Sequence, residues 1–436
     1  YKYLLWGLFA KVIGAVFFAI IYAYYYRGGD TMSYFFSSVA MGNLAIADPL
    51  AYIKVLFGDN TLENIQYFTK ETGKPFDFVY YDDRTFMVVR LISPITLLTF
   101  NSFLLTTVLV ASASYVGVWR CYQTFVRYYP KLMGPFAIAV LFMPSCIFWG
   151  SAILKDTFTF AGVCWYFHGV DQYFFRKANK FRSGWQIFLG LFLVITIKPY
   201  IFMAIFPVTL LWLSYNRLAS IRNALIKYLF VPAVFVGLVF LSFFVLIQMG
   251  DRLDKFSLDR AMATIITTQN DMSRAEEYGA NKFDIGELDG TWLNVLSKYP
   301  VATNAALFRP YLWECNSVVM YLAGLENLFL LLLAFSVLWK SRIVLFPSLI
   351  FKNPLVLLCM AFVLTYAFIT GITTPNFGAL VRFKIPLIPF MVAGLYIMRY
   401  LLQQRKQVMQ RGGKFRFERF IDGDPLTVQQ SAVVTG

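Results

Sequence analysis

Apolar runs about as long as a bilayer is thick recur along most of this chain, separated by short polar connections. Ten stand out, at 3–26, 98–119, 134–152, 157–173, 185–197, 200–215, 228–249, 317–339, 353–372 and 384–402. At a helical rise of about 1.5 Å per residue, roughly 20 apolar residues cross the ~30 Å hydrocarbon core. The pattern predicts an all-α, polytopic transmembrane bundle. The fifth and sixth runs are short for a crossing, and Lys198-Pro199 between them breaks the helix by removing a backbone donor. They read as a re-entrant hairpin that stops short of the far face, and in either case both ends of the pair stay on one side.

Composition agrees with the pattern. Of 436 residues, 58% are hydrophobic and only 14% charged, against about 45–50% and 25% in ordinary soluble domains. The net charge of +15 is spread through connections and forms no basic domain, which excludes a nucleic-acid partner. Five cysteines without CxxC spacing and a single histidine, His168, suggest no disulfide framework and no histidine-based metal site.

Counting Lys and Arg between the runs gives three in 120–131, four in 176–182, three in 217–227, three in 340–352 and seven in 399–419. Every second connection is basic, so the positive-inside rule puts these five, and both termini, in the cytoplasm. Two long connections, 27–97 and 250–316, then lie on the outer side; residues 27–84 hold eight acidic and five basic residues, and residues 250–316 hold ten and seven. The chain divides into a transmembrane domain, 1–402, and a basic cytoplasmic tail, 403–436. The tail reads as a segment that lies on anionic membrane lipids; its Asp422-Gly423-Asp424 resembles a metal-binding motif, but it falls in a stretch that reads as unstructured on the cytoplasmic face, which argues against a metal site.

The informative residues are cations that this topology places close to the membrane on the outer side. Lys155 falls between the third and fourth runs, Lys198 between the fifth and sixth, Arg309 before the eighth, and Arg382 and Lys384 at the start of the tenth. Arg90 sits in an apolar stretch broken by Pro94. Ionisable groups at such depth are costly and face a cavity or a partner. Each alone is readily explained by snorkelling or by a nearby carboxylate such as Asp156; together they suggest a shared anionic ligand, which arginine's planar fork grips well. Two carboxylates are candidate general bases. Asp30, beside Arg27 and behind Gly28-Gly29, follows the first run, with helix capping as the plainer role. Glu314 is the second, with an ion pair to Arg309 as its plainer role. Glu326, inside the eighth run, suggests a buried hydrogen bond, and Asp82 and Asp83 read as solvated.

Three stretches carry a resemblance: Gly28 to Phe35; Pro144-Ser145 with Phe148-Trp149, Ser151 and Lys155-Asp156; and Asn376-Phe377-Gly378 with Arg382, Pro386 and Pro389. Through them the chain resembles the bacterial polytopic polysaccharide polymerases of the O-antigen and exopolysaccharide group. In layout it is also similar to lipid-linked glycosyltransferases of the GT-C type. The resemblance implies a glycan on a polyprenyl diphosphate, transferred at the outer face of the inner membrane, with Asp30 matching the acidic residue after the first helix. Lys155, Arg309 and Arg382 would match cations that hold the diphosphate, and Arg27, Arg90, Lys198 and Lys384 join them as candidates. No cofactor and no metal are expected, since fixed cations can stabilise the leaving group. There are two rivals: a transporter or flippase of a lipid-linked or anionic solute, in which the same cations bind substrate, and a non-enzymatic subunit bound to protein partners in an envelope assembly, in which single outward cations are dispensable.

Overall fold

A computed structural model describes residues 2–219 and 282–412, with short pieces at 233–234, 236–238, 240–241, 244, 262–263 and 265–270. Most of the seventh run, most of 250–281 and the tail beyond 412, with Asp422-Gly423-Asp424, lie outside the described residues. Among those residues the regular elements are all helices, and the one β-type pairing is an isolated antiparallel bridge between Lys282 and Asn376.

Six helices are long and apolar enough to cross a membrane: Leu4–Tyr26, Phe103–Tyr128, Lys180–Ile197, Val318–Lys340, Pro354–Thr373 and Phe377–Gln410. A seventh results if Pro130–Phe142 and Pro144–Ser151, broken at Met143, count as one. The chain is therefore read as a multi-pass membrane protein with six or seven such helices described, where the apolar runs suggested about ten. One difference has a local cause. The fifth run, short as an apolar stretch, belongs to a longer helix that starts at Lys180, because Asn179 Oδ1 accepts the Arg182 amide at 3.1 Å and adds a polar first turn. The sixth run does stay short, with an apolar part of Pro199–Tyr215. The fourth is helical but is not among the six.

The chain forms two compact units, residues 1–121, 144–169 and 184–198 in the first and 122–143, 170–183 and 199–436 in the second. The first unit contains α1 (Leu4–Ile20, continued by a π-helical turn to Tyr26), α2 (Asp30–Ala47), α3 (Pro49–Phe57) and α4 (Asp83–Leu98). It also holds most of α5 (Phe103–Tyr128), α6 (Lys155–Val170) and α7 (Lys180–Ile197). The expected outer loop 27–97 is thus largely helical. Asp48 accepts the amides of Leu50 and Ala51 at 3.1 and 3.0 Å, with Pro49 at the first helical position, which fixes the start of α3. α2 packs on α4, and Phe18, Phe35, Met41, Val55, Tyr80, Phe86 and Ile92 form their common core. Where α6 crosses α7, Gly162 and Gly190 face each other so closely that a Cβ on Gly190 would lie 2.6 Å from the Gly162 carbonyl oxygen. Such small-residue contacts let helices approach where lipid offers no hydrophobic drive.

The second unit contains α8 (Pro199–Ala219), α9 (Trp292–Ser297), α10 (Tyr299–Phe308), α11 (Val318–Lys340), α12 (Pro354–Thr373), α13 (Phe377–Phe383) and α14 (Ile388–Gln410). α12 is its centre and packs against α8, α10 and α14. Side-chain caps fix three starts: Ser317 for α11, Asn353 ahead of Pro354 for α12, and Asn376 for α13.

Candidate functional site

Four elements of the first unit contribute to one charge cluster. Lys155 and Asp156 open α6, and as successive helical residues they point about 100° apart, so each reaches its own partner. Lys155 Nζ lies 2.9 Å from Asp82 Oδ2, just ahead of α4. Lys198 Nζ, past the end of α7, lies 2.5 Å from Asp156 Oδ1. The two pairs differ in depth. The side chains of Lys155 and Asp82 are 22% and 45% exposed, whereas those of Lys198 and Asp156 are 6% and 2% exposed. Asp30, in the first turn of α2, and Lys198 both act electrostatically on Lys155. Burial raises the Asp82 carboxyl, but the Lys155 ammonium and hydrogen bonds from Thr85 and Lys155 outweigh it, and Asp82 stays below the usual carboxylate range. Asp82 is thus held by two partners, which corrects its reading as merely solvated; Asp83 is exposed.

The turn before α2 accounts for the two glycines. Gly29 has φ 92°, a region that costs a glycine little. It lets the chain reverse straight after α1 and leaves α2 without a side-chain cap. The Asp30 carboxylate sits in this first turn, where the helix dipole favours negative charge. Next to it the fully buried Thr31 hydroxyl has no hydrogen-bond partner.

Two other candidates of this unit have structural tasks. The Arg90 guanidinium is buried against α3: it donates to Val55 O at 3.2 Å, to Gly58 O and to Asn60 Oδ1 at 2.7 Å, with the Phe86 ring beneath it. It braces the end of that helix. Arg27 is exposed and donates to Tyr24 O at 3.3 Å.

Arg309, Glu314, Arg382 and Lys384 belong to the second unit. Glu314 grips the Arg309 guanidinium with both oxygens and accepts the Tyr311 amide at 2.8 Å. The guanidinium also lies 4.9 and 5.2 Å from the ring centroids of Phe283 and Phe377. Lys384, fully buried, donates to Asn327 Oδ1 at 2.5 Å and to Arg309 O at 3.4 Å. Asn327 in turn donates to Pro310 O at 3.0 Å, and Glu326 interacts electrostatically with Lys384. Arg382 stacks over Phe383 at 5.1 Å. Glu314 therefore takes the ion-paired role, and Lys384 clasps the turn that follows α10.

Sequence reasoning missed Lys11. It projects from the middle of α1, is buried, and donates to Cys146 O at 3.2 Å and to Gly150 O, two carbonyls of the short helical segment Pro144–Ser151 that follows the break in the third run. A charge in the centre of an apolar run was the available signal. It also missed Asp171, fully buried and bound by Tyr128 at 2.7 Å and Arg176 at 3.0 Å.

No family model, no curated protein and no solved structure matches this chain.

Proposed function

We propose that the chain is an integral-membrane glycosyltransferase of the polysaccharide polymerase type, acting on polyprenyl-diphosphate-linked sugars at the outer face of a bacterial inner membrane. The supporting observation is the grouping of Asp30 with Lys155, a partly buried ammonium held by Asp82 and close enough to the buried Lys198–Asp156 pair to interact with Lys198. Asp30 accepts the proton of the acceptor hydroxyl. The hydroxyl oxygen attacks the anomeric carbon, and the bond from that carbon to the diphosphate breaks with inversion. The released diphosphate carries the developing charge, which a cation fixed beforehand stabilises without reorganising. Lys155 fits that task best of the seven candidate cations, since Arg90 and Arg309 are already committed to neighbours on several sides.

The test is chromosomal replacement in the native host by Asp30→Asn and Lys155→Gln. General bases contribute about 10²–10⁴-fold, so the expected outcome is loss of long polymer with accumulation of the lipid-linked single repeat, at normal protein level in the membrane. Wild-type polymer length in both variants refutes the proposal. A second reading, transport of a lipid-linked or anionic solute, is favoured by the interrupted run at Met143, because broken helices often mark transport sites. Substrate movement across vesicles without formation of a glycosidic bond supports that reading.

A further inference from the structure

Residues 284–308 form an excursion that leaves and returns to one point of the second unit. At its start, Phe283 donates its amide to Pro375 O at 2.9 Å and stacks on the Phe377 ring at 5.5 Å. At its end the Arg309 guanidinium lies over the same two rings. In between, α10 runs alongside α12. The Tyr299 and Phe368 rings are 5.0 Å apart, and a Cβ on Gly371 would overlap Ala302 O. The register advances equally on both helices, from 299 beside 368 to 302 beside 371, so they are parallel. Tyr299 therefore lies level with a residue five positions inside the end of the Pro354–Thr373 span, about 7.5 Å inboard at helical rise. α9 precedes it by the single residue Lys298.

This segment has the surface of something that is not bathed in water. Leu293 is 81% exposed and Leu296 58%, and Trp292, Tyr299 and Val301 are exposed beside them. From Trp292 to Phe308 the sole charged residue is Lys298, whose ammonium folds back to Gly286 on the limb that leaves the rim. The acidic residues of the excursion, Asp284, Glu287 and Asp289, all precede α9. A helix flanking a membrane span, apolar outward and carrying Trp and Tyr, matches the chemistry of the headgroup–acyl boundary.

We infer that α9 and the first turn of α10 are a lipid-binding element, seated in the leaflet beside α12, with Leu293, Leu296 and Val301 among the acyl chains. The occupant is bilayer lipid. The inference depends neither on the proposed reaction nor on which side of the membrane is cytoplasmic.

Site-directed spin labelling tests it. All five native cysteines are buried, so single cysteines at Leu293→Cys, Leu296→Cys and Val301→Cys report their own sites in phosphatidylcholine nanodiscs. Asp289→Cys serves as the aqueous reference, and Leu325→Cys, on the outward surface of α11, as the lipid reference. The measured quantity is collision with oxygen, which concentrates in lipid, relative to collision with a water-soluble nickel chelate. Ratios closer to that of position 325 are expected at all three sites. Ratios closer to that of position 289 at two or more of them overturn the inference. Should one variant fail to fold, the other two decide.

Discussion

Asp156→Asn provides a quantitative test of the charge cluster. The Lys198–Asp156 contact of 2.5 Å is almost wholly buried. At an effective dielectric of about 20 the Coulomb attraction at that distance is roughly 6–7 kcal/mol. Desolvation of both ions offsets most of it, so the intact pair is close to neutral compared with an apolar pair of equal volume. The single substitution differs: it keeps the desolvation of the Lys198 ammonium and removes its counter-charge. A loss of about 3–5 kcal/mol is expected. Scaled to the unfolding entropy of a 436-residue chain, that lowers the melting midpoint by roughly 3–5 °C. Thermal unfolding in detergent, followed by tryptophan fluorescence, measures it. The double variant Asp156→Leu with Lys198→Met removes both charges and should recover most of the loss. A single variant as stable as the parent, or a double variant that adds the two single losses, refutes a buried, mutually dependent pair.

Further outcomes follow from the same geometry. Gly371→Leu places side-chain atoms against the Ala302 carbonyl, a backbone group that cannot swing away; the folded, monodisperse fraction in size-exclusion chromatography should fall sharply, whereas Gly184→Leu, with open space around it, should not change it. Arg90→Lys keeps the charge but loses the fork that joins Val55, Gly58 and Asn60, and hydrogen bonds to charged groups are worth about 1.5–3 kcal/mol; a lower melting midpoint is expected. Asp82 has a folded pKa below its unfolded one, so its contribution is present above the unfolded value, near 3.9, and is lost as pH falls through the folded value. Asp82→Asn should flatten the acid limb of stability below about pH 4, as read from melting midpoints across pH.

The membrane helices were readable because their signal is local. The run 3–26 coincides with Leu4–Tyr26 and 317–339 with Val318–Lys340, since twenty consecutive apolar residues leave few alternatives. The start of α7 was hidden, because Lys180 and Arg182 look like a connection until Asn179 caps them. The charge cluster was half legible. Asp30, Lys155 and Lys198 stood out as charges beside apolar runs, but Asp82 pairs with a residue 73 positions away, and no spacing rule reports such a partner. The same limit made Arg90 look like a ligand-binding cation, when its acceptors lie 30 to 35 residues earlier in the chain.

The contact between Lys11 and the carbonyls of Cys146 and Gly150 bears on how the chain is made. In hydrocarbon an unmet carbonyl costs several kcal/mol, and the Lys11 ammonium meets two carbonyls of the short segment Pro144–Ser151. That ammonium belongs to a helix made well before residues 144–151, and Lys11 in turn is expensive in lipid until the later segment arrives. Each element is a poor membrane passenger alone and an acceptable one in the other's company. Biogenesis should therefore retain α1 at the insertion machinery until residues 144–151 have emerged, and Lys11→Leu should release α1 early while leaving the later segment slow to integrate.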